Sequence, residues 1–152
     1  MSRVERTIEI SADTDLVWSA VSDLSAVTDW NPNVAAATCS GPAGGVGTTR
    51  TCELTPGGRI DEVVARWEPG RELWFAIGSH GGVRSADMGI VLTPTATGTT
   101  VTAVTDYHLA FGPLGPVVDR LTMRKAMTRM MDASLQGLKE HIETTTREGT
   151  RQ

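Results

Sequence analysis

The side chains best placed to do chemistry fall in two adjoining stretches, 83–93 and 99–110. Each stretch alternates in character along its length, the pattern of a strand with two unlike faces. In the first, Arg84, Ala86, Met88, Ile90 and Leu92 are more apolar than Ser85, Asp87, Gly89, Val91 and Thr93. In the second, Val101, Ala103, Thr105, Tyr107 and Leu109 stand against Thr102, Val104, Asp106, His108 and Ala110. Assigning the more apolar sets to the interior puts Arg84, Thr105 and Tyr107 among apolar neighbours. An arginine there could hold a carboxylate or polarise a carbonyl. A tyrosine could donate a hydrogen bond or shuttle a proton. His80 lies beside Ser79 in a glycine-rich loop. Its pKa near neutrality suits an acid or base.

The opposite faces hold a second constellation. A turn centred on Ala96-Thr97 sets Asp87 across from Asp106, with His108 diagonal to Asp87. Two carboxylates and an imidazole could form an acid/base cluster or bind a metal. Their neighbours on that face are polar or small, so the expectation is a solvated outer face and no metal site. Other site types fail on spacing. The glycines of 41–47 lack a following Lys-Ser/Thr and open a strand, so they are no phosphate loop. There is no G-x-S-x-G elbow and no dinucleotide fingerprint before a helix. Three histidines and two cysteines at scattered positions give no zinc spacing.

These residues need elements to position them. Residues 4–10 alternate as a half-buried strand. Ser11 to Asp15 offers N-cap oxygens and first-turn acids for a helix through Leu16, Val17, Trp18, Ala20 and Val21. Asp23 is expected to cap a second short helix, 24–28, which stops at Trp30-Asn31-Pro32. Strands follow at 34–40, 48–54, 59–67, 72–77, 83–93 and 99–110, broken by glycine and proline turns. Short connections make these an antiparallel meander. The last element is a long amphipathic helix from about Pro113 to Thr146. Val117, Val118, Leu121, Met127, Met130, Met131, Leu135, Leu138 and Ile142 recur mostly in steps of three and four. A sheet needs a cover for its apolar face, and only this helix is long enough. One domain spans 1–146, with a frayed polar tail at 147–152.

Composition narrows the function classes. With 39% hydrophobic and 21% charged residues the 152-residue chain is globular. Its net charge of −4 argues against a general nucleic-acid binder. No apolar run approaches the roughly 20 residues of a membrane span, and the charged start is unlike a signal peptide. Cys39 and Cys52 sit out of step in neighbouring strands, so free thiols in a reducing cytoplasm are expected.

Element order and local sequence resemble the helix-grip fold of the Bet v 1-like, START-related superfamily, and within it the polyketide cyclase/dehydrase and lipid-transport group. The matching residues are Ile8-Glu9-Ile10-Ser11-Ala12 with Val17-Trp18; Asp29-Trp30-Asn31-Pro32; Gly45-Val46-Gly47-Thr48; Trp67 to Leu73; Leu92-Thr93-Pro94 with Gly98 to Thr102; and Gly112-Pro113-Leu114-Gly115. The resemblance implies an α+β domain in which a curved seven-stranded antiparallel sheet wraps a long C-terminal helix, with two short helices after strand 1. It also implies an elongated cavity open at one end. Arg84, Tyr107 and His80 would then be the candidate catalytic groups, with His80 at the cavity mouth. Trp30, Met88, Thr105, Met127, Met130 and Met131 would contact a small hydrophobic ligand, aromatic, polyketide-like or lipid-like. The expected activity is that of a cofactor-free cyclase or dehydratase, which brings reacting carbons of a flexible chain together. A non-catalytic lipid or metabolite carrier or sensor, and a protein-interaction module, stay open beside it. Oligomeric state is not readable.

Overall fold

The computed structural model describes residues 2–41, 44–55, 57–79, 82–110 and 122–150. Strand β1 (Ser2–Ile10) leads into helix α1 (Thr14–Ser22) and a 3-10 helix (Leu24–Asp29). Six strands follow: β2 (Val34–Ser40), β3 (Thr49–Leu54), β4 (Arg59–Glu68), β5 (Glu72–Ile77), β6 (Val83–Pro94) and β7 (Thr99–Leu109). Helix α2 (Arg124–Thr150) ends the described chain. The part of the long helix expected at 113–121 lies outside the described residues. At the other end α2 continues four residues past the expected stop at Thr146.

All seven strands form one antiparallel sheet in the order β1-β7-β6-β5-β4-β3-β2. The sheet curves and α2 lies in its concavity, which is the helix-grip architecture. Asp13 and Asp23 hold the N-cap positions of the two short helices, but neither caps through its side chain. The Asp13 carbonyl instead accepts the amides of Leu16 and Val17, at 3.0 and 3.2 Å.

Helix α2 packs chiefly on β1, and polar bonds stitch that seam. Arg6 donates twice to Asp132, at 2.7 and 3.1 Å. Lys139 Nζ donates to the Glu9 carbonyl at 2.7 Å, and the Ser11 amide to Glu143 at 3.0 Å. Inside the seam, Leu135, Leu138 and Ile142 join Ile10, Val17, Val21 and Val101 in one buried cluster. A second cluster holds Leu73, Phe75, Ile77, Val83, Tyr107 and Met131. Each fully buried aliphatic side chain contributes roughly 1.5–3 kcal/mol before entropy is subtracted. Because the helix sits over the β1 edge, it leaves space beneath β3, β4 and β5.

Candidate functional site

That space is a hollow of about 130 Å³, bounded by α2, the chain after the 3-10 helix, and the inner faces of β3 to β7. Most of its lining is apolar. Ile60, Leu54 and Phe75 come from the sheet, Met127 and Met131 from α2, and Val27 from the 3-10 helix. A wider groove of about 790 Å³ lies outside, between α2 and residues 28–32. It is open to solvent and carries Gln136, Glu140 and Glu148, so the smaller, more enclosed hollow is the better candidate site.

Its polar floor comes from strand pairing. On β3, Arg50, Cys52 and Leu54 share the inner face; on β4, Ile60, Glu62 and Val64 do. The register sets Arg50 directly opposite Glu62. Arg50 Nε donates to Glu62 Oε1 at 3.2 Å and Nη2 to Oε2 at 3.1 Å, a bidentate pair. Nη1 donates to the Leu24 carbonyl at 3.2 Å. The guanidinium carbon stands 4.5 Å from the Phe75 ring centroid, in cation–π contact. The pair is 7% and 1% exposed, so each charge depends on the other for compensation. Cys52 Sγ donates to Glu62 Oε1 at 3.1 Å. Burial, and then the Glu62 charge, push that thiol up to about 12. It stays protonated at neutral pH and is no nucleophile.

Beside α2 the hollow is closed by a clasp. Asn33 Nδ2 donates to the Met130 carbonyl at 2.7 Å and to Ser134 Oγ at 3.0 Å, and Ser134 Oγ donates to Asn31 Oδ1 at 3.0 Å. Gly137 makes the approach possible, because a Cβ there would collide with the Trp30 carbonyl oxygen.

All six expected ligand-contacting residues, Trp30, Met88, Thr105, Met127, Met130 and Met131, line the hollow. Thr105 Oγ1 donates to Met131 Sδ at 3.7 Å. Met130 is 38% exposed, at the rim. Of the three expected catalytic residues, Arg84 and Tyr107 are not brought together. Arg84 is exposed rather than interior. A bulge between Val83 and Ser85 breaks the alternation of β6, and Val83 takes the buried position. Tyr107 is fully buried, as expected, but in the second core cluster and not in the lining. His80 lies outside the described residues.

On the outer face Asp87 pairs with Asp106 as the turn implied. Asp87 and His108 are exposed, and Arg3 holds Asp106 at 2.6 and 2.8 Å, so this is a solvated face. Cys39 and Cys52 are both free. Sequence reasoning missed Arg50, Cys52 and Glu62. The signal was present, since each shares its face with apolar residues, Leu54 on β3 and Ile60 and Val64 on β4.

Solved structures share this fold. The Zhui aromatase/cyclase from Streptomyces sp. R1128 superposes with a TM-score of 0.80 at 16% identity, covering 93% of each chain. The protein TTHA0849 from Thermus thermophilus gives 0.79 at 19% identity, covering 95% of this chain and 99% of its own. A START superfamily protein from Mycobacterium smegmatis gives 0.74 at 15% identity, covering 94% and 98%. At such identities the likeness shows the fold alone. No curated protein matches the sequence. A family model described as polyketide cyclase / dehydrase and lipid transport matches residues 1–143. The chain belongs to that family.

Proposed function

We infer that the chain encloses a small, largely apolar ligand in the hollow beneath β3, β4 and β5. The observation that carries this reading is an enclosed apolar lining with a single buried ion pair, the composition of a small-molecule pocket. Protein cores leave few voids larger than a water molecule. The volume of about 130 Å³ is close to that of a cavity that holds one benzene ring, about 150 Å³. Larger ligands are accommodated by the methionines, whose unbranched side chains re-pack at low cost.

Native mass spectrometry of the purified protein tests this, with Ile60→Trp as a cavity-filling control. The expected result is a bound mass, retained from expression or acquired from an added aromatic probe, that Ile60→Trp loses. Retention of that mass by a folded Ile60→Trp would remove the hollow as its site.

A second reading, cofactor-free cyclisation or dehydration, is favoured by the Arg50 guanidinium, which lines the hollow. Its remaining N–H groups would hydrogen-bond a ketone oxygen and polarise that carbonyl while the walls hold reacting carbons close. Arg84 is exposed and Tyr107 lies behind the lining, so this electrostatic role passes to Arg50. Turnover of a poly-β-ketone probe, abolished in a folded Arg50→Met variant, is the expected outcome. Equal turnover in that variant would return the protein to a carrier or sensor.

A further inference from the structure

Resting on the reading that the hollow binds a ligand, we propose that this ligand is uncharged and presents an oxygen acceptor, so that the site rejects carboxylates. Among the described lining residues the charged groups are Arg50 and Glu62 alone, and they cancel. A ligand carboxylate finds no spare cation. Taking the remaining Arg50 donors, it would stand against the buried Glu62 carboxylate, 1% exposed, with one guanidinium shared between two anions. An ammonium fares no better, because Glu62 Oε1 already accepts from Arg50 Nε and Cys52 Sγ and the guanidinium would repel it. Neutral-ligand selection therefore follows from the closure of the pair on itself.

Two lining residues hold unused donors. A guanidinium has five N–H groups, and three of those on Arg50 are engaged, by Glu62 twice and by Leu24. Trp30 also lines the hollow, and its indole N–H is buried with no acceptor among the described residues. A buried donor left without a partner costs about 1–3 kcal/mol. A ketone, ester or similar neutral oxygen is the group that satisfies such donors without disturbing the ion pair.

Three one-ring probes of matched shape separate these statements: acetophenone, ethylbenzene and benzoate, titrated at pH 7.5 and followed by amide chemical shifts. The expected order is acetophenone, then ethylbenzene, then benzoate, with acetophenone at least about tenfold tighter than benzoate. Benzoate binding as tightly as acetophenone overturns the proposal and leaves the cavity reading intact. Ethylbenzene matching acetophenone overturns the acceptor requirement. Shifts from none of the three remove the cavity reading, and this proposal falls with it. In Glu62→Gln, which frees the Arg50 charge, benzoate should gain at least about tenfold relative to acetophenone. If that variant does not fold, the wild-type comparison still decides.

Discussion

Arginine–carboxylate pairs bridge neighbouring strands on both faces of this sheet, and one from each face makes the comparison. On the outer face Arg3 and Asp106 meet at 2.6 and 2.8 Å, with 55% and 12% of their side chains exposed. On the inner face Arg50 and Glu62 meet at 3.2 and 3.1 Å, with 7% and 1% exposed. By distance the outer pair is the stronger. By environment the inner pair matters more, because water and salt replace the outer contact and nothing replaces the inner one. The same residue types thus serve as a surface fastening in one place and as the floor of a candidate site in the other.

The largest effect expected is from breaking the inner pair on one side. Glu62→Ala leaves Arg50 buried and uncompensated, at a cost of roughly 3–5 kcal/mol. For a domain of this size that lowers Tm by about 10 °C, measurable by calorimetry. A loss no greater than that of an exposed pair would erase the distinction between the two faces. Replacing both partners, as Arg50→Met with Glu62→Leu, sharpens the comparison. Two charges no longer need compensation, so stability should recover to within about 1 kcal/mol of the parent or exceed it. A double variant as damaged as Glu62→Ala would mean that the pair holds the fold together rather than serving the hollow.

Cys52 reports on the same interior without altering the pair. Its pKa, pushed up to about 12 by burial and Glu62, lies above the unfolded value of about 8.5. Between those values the folded chain keeps a proton that the unfolded chain releases, so stability should fall as pH rises through this window. A Cys52→Ala variant should show a shallower alkaline decline in urea titrations. At pH 8, Cys39, half-buried, should react with a thiol reagent while Cys52 waits for unfolding. Equal labelling rates would contradict a closed interior.

Much of this arrangement is legible in the sequence, and the exceptions have physical causes. The turn at Ala96-Thr97 gave the Asp87–Asp106 pairing, because a short turn fixes register. Steps of three and four placed Met127 and Met131 on the inner face of α2, since a helix repeats every 3.6 residues. Arg84 was misplaced because a bulge adds a residue and inverts parity at one end of β6. Composition does not announce a bulge. Arg50 and Glu62 were overlooked for another reason. Alternation puts both inside, but a charged residue is ordinarily assigned to solvent. Two opposite charges that share the inner parity of adjacent strands are the readable exception. The Asn31–Asn33–Ser134 clasp joins positions about a hundred residues apart, and no local pattern foretells it.

The smallest effect expected is on the outer pair, and pH gives it a signature. The hydrogen bonds and charge of Arg3 hold the Asp106 carboxyl below its ordinary range. A depressed folded pKa gives stability that is present above the unfolded value, near 3.9, and is lost as pH falls through the folded one. Asp106→Asn should therefore lower Tm by only about 2 °C at pH 7. The difference from the parent should shrink steadily below pH 4 as the parent's own carboxylate is protonated. High salt should shrink it as well, which the inner pair, shielded from ions, should resist. If the Asp106 difference survived both acid and salt, exposure would not be what separates the two pairs, and packing around Asp106 would have to account for it.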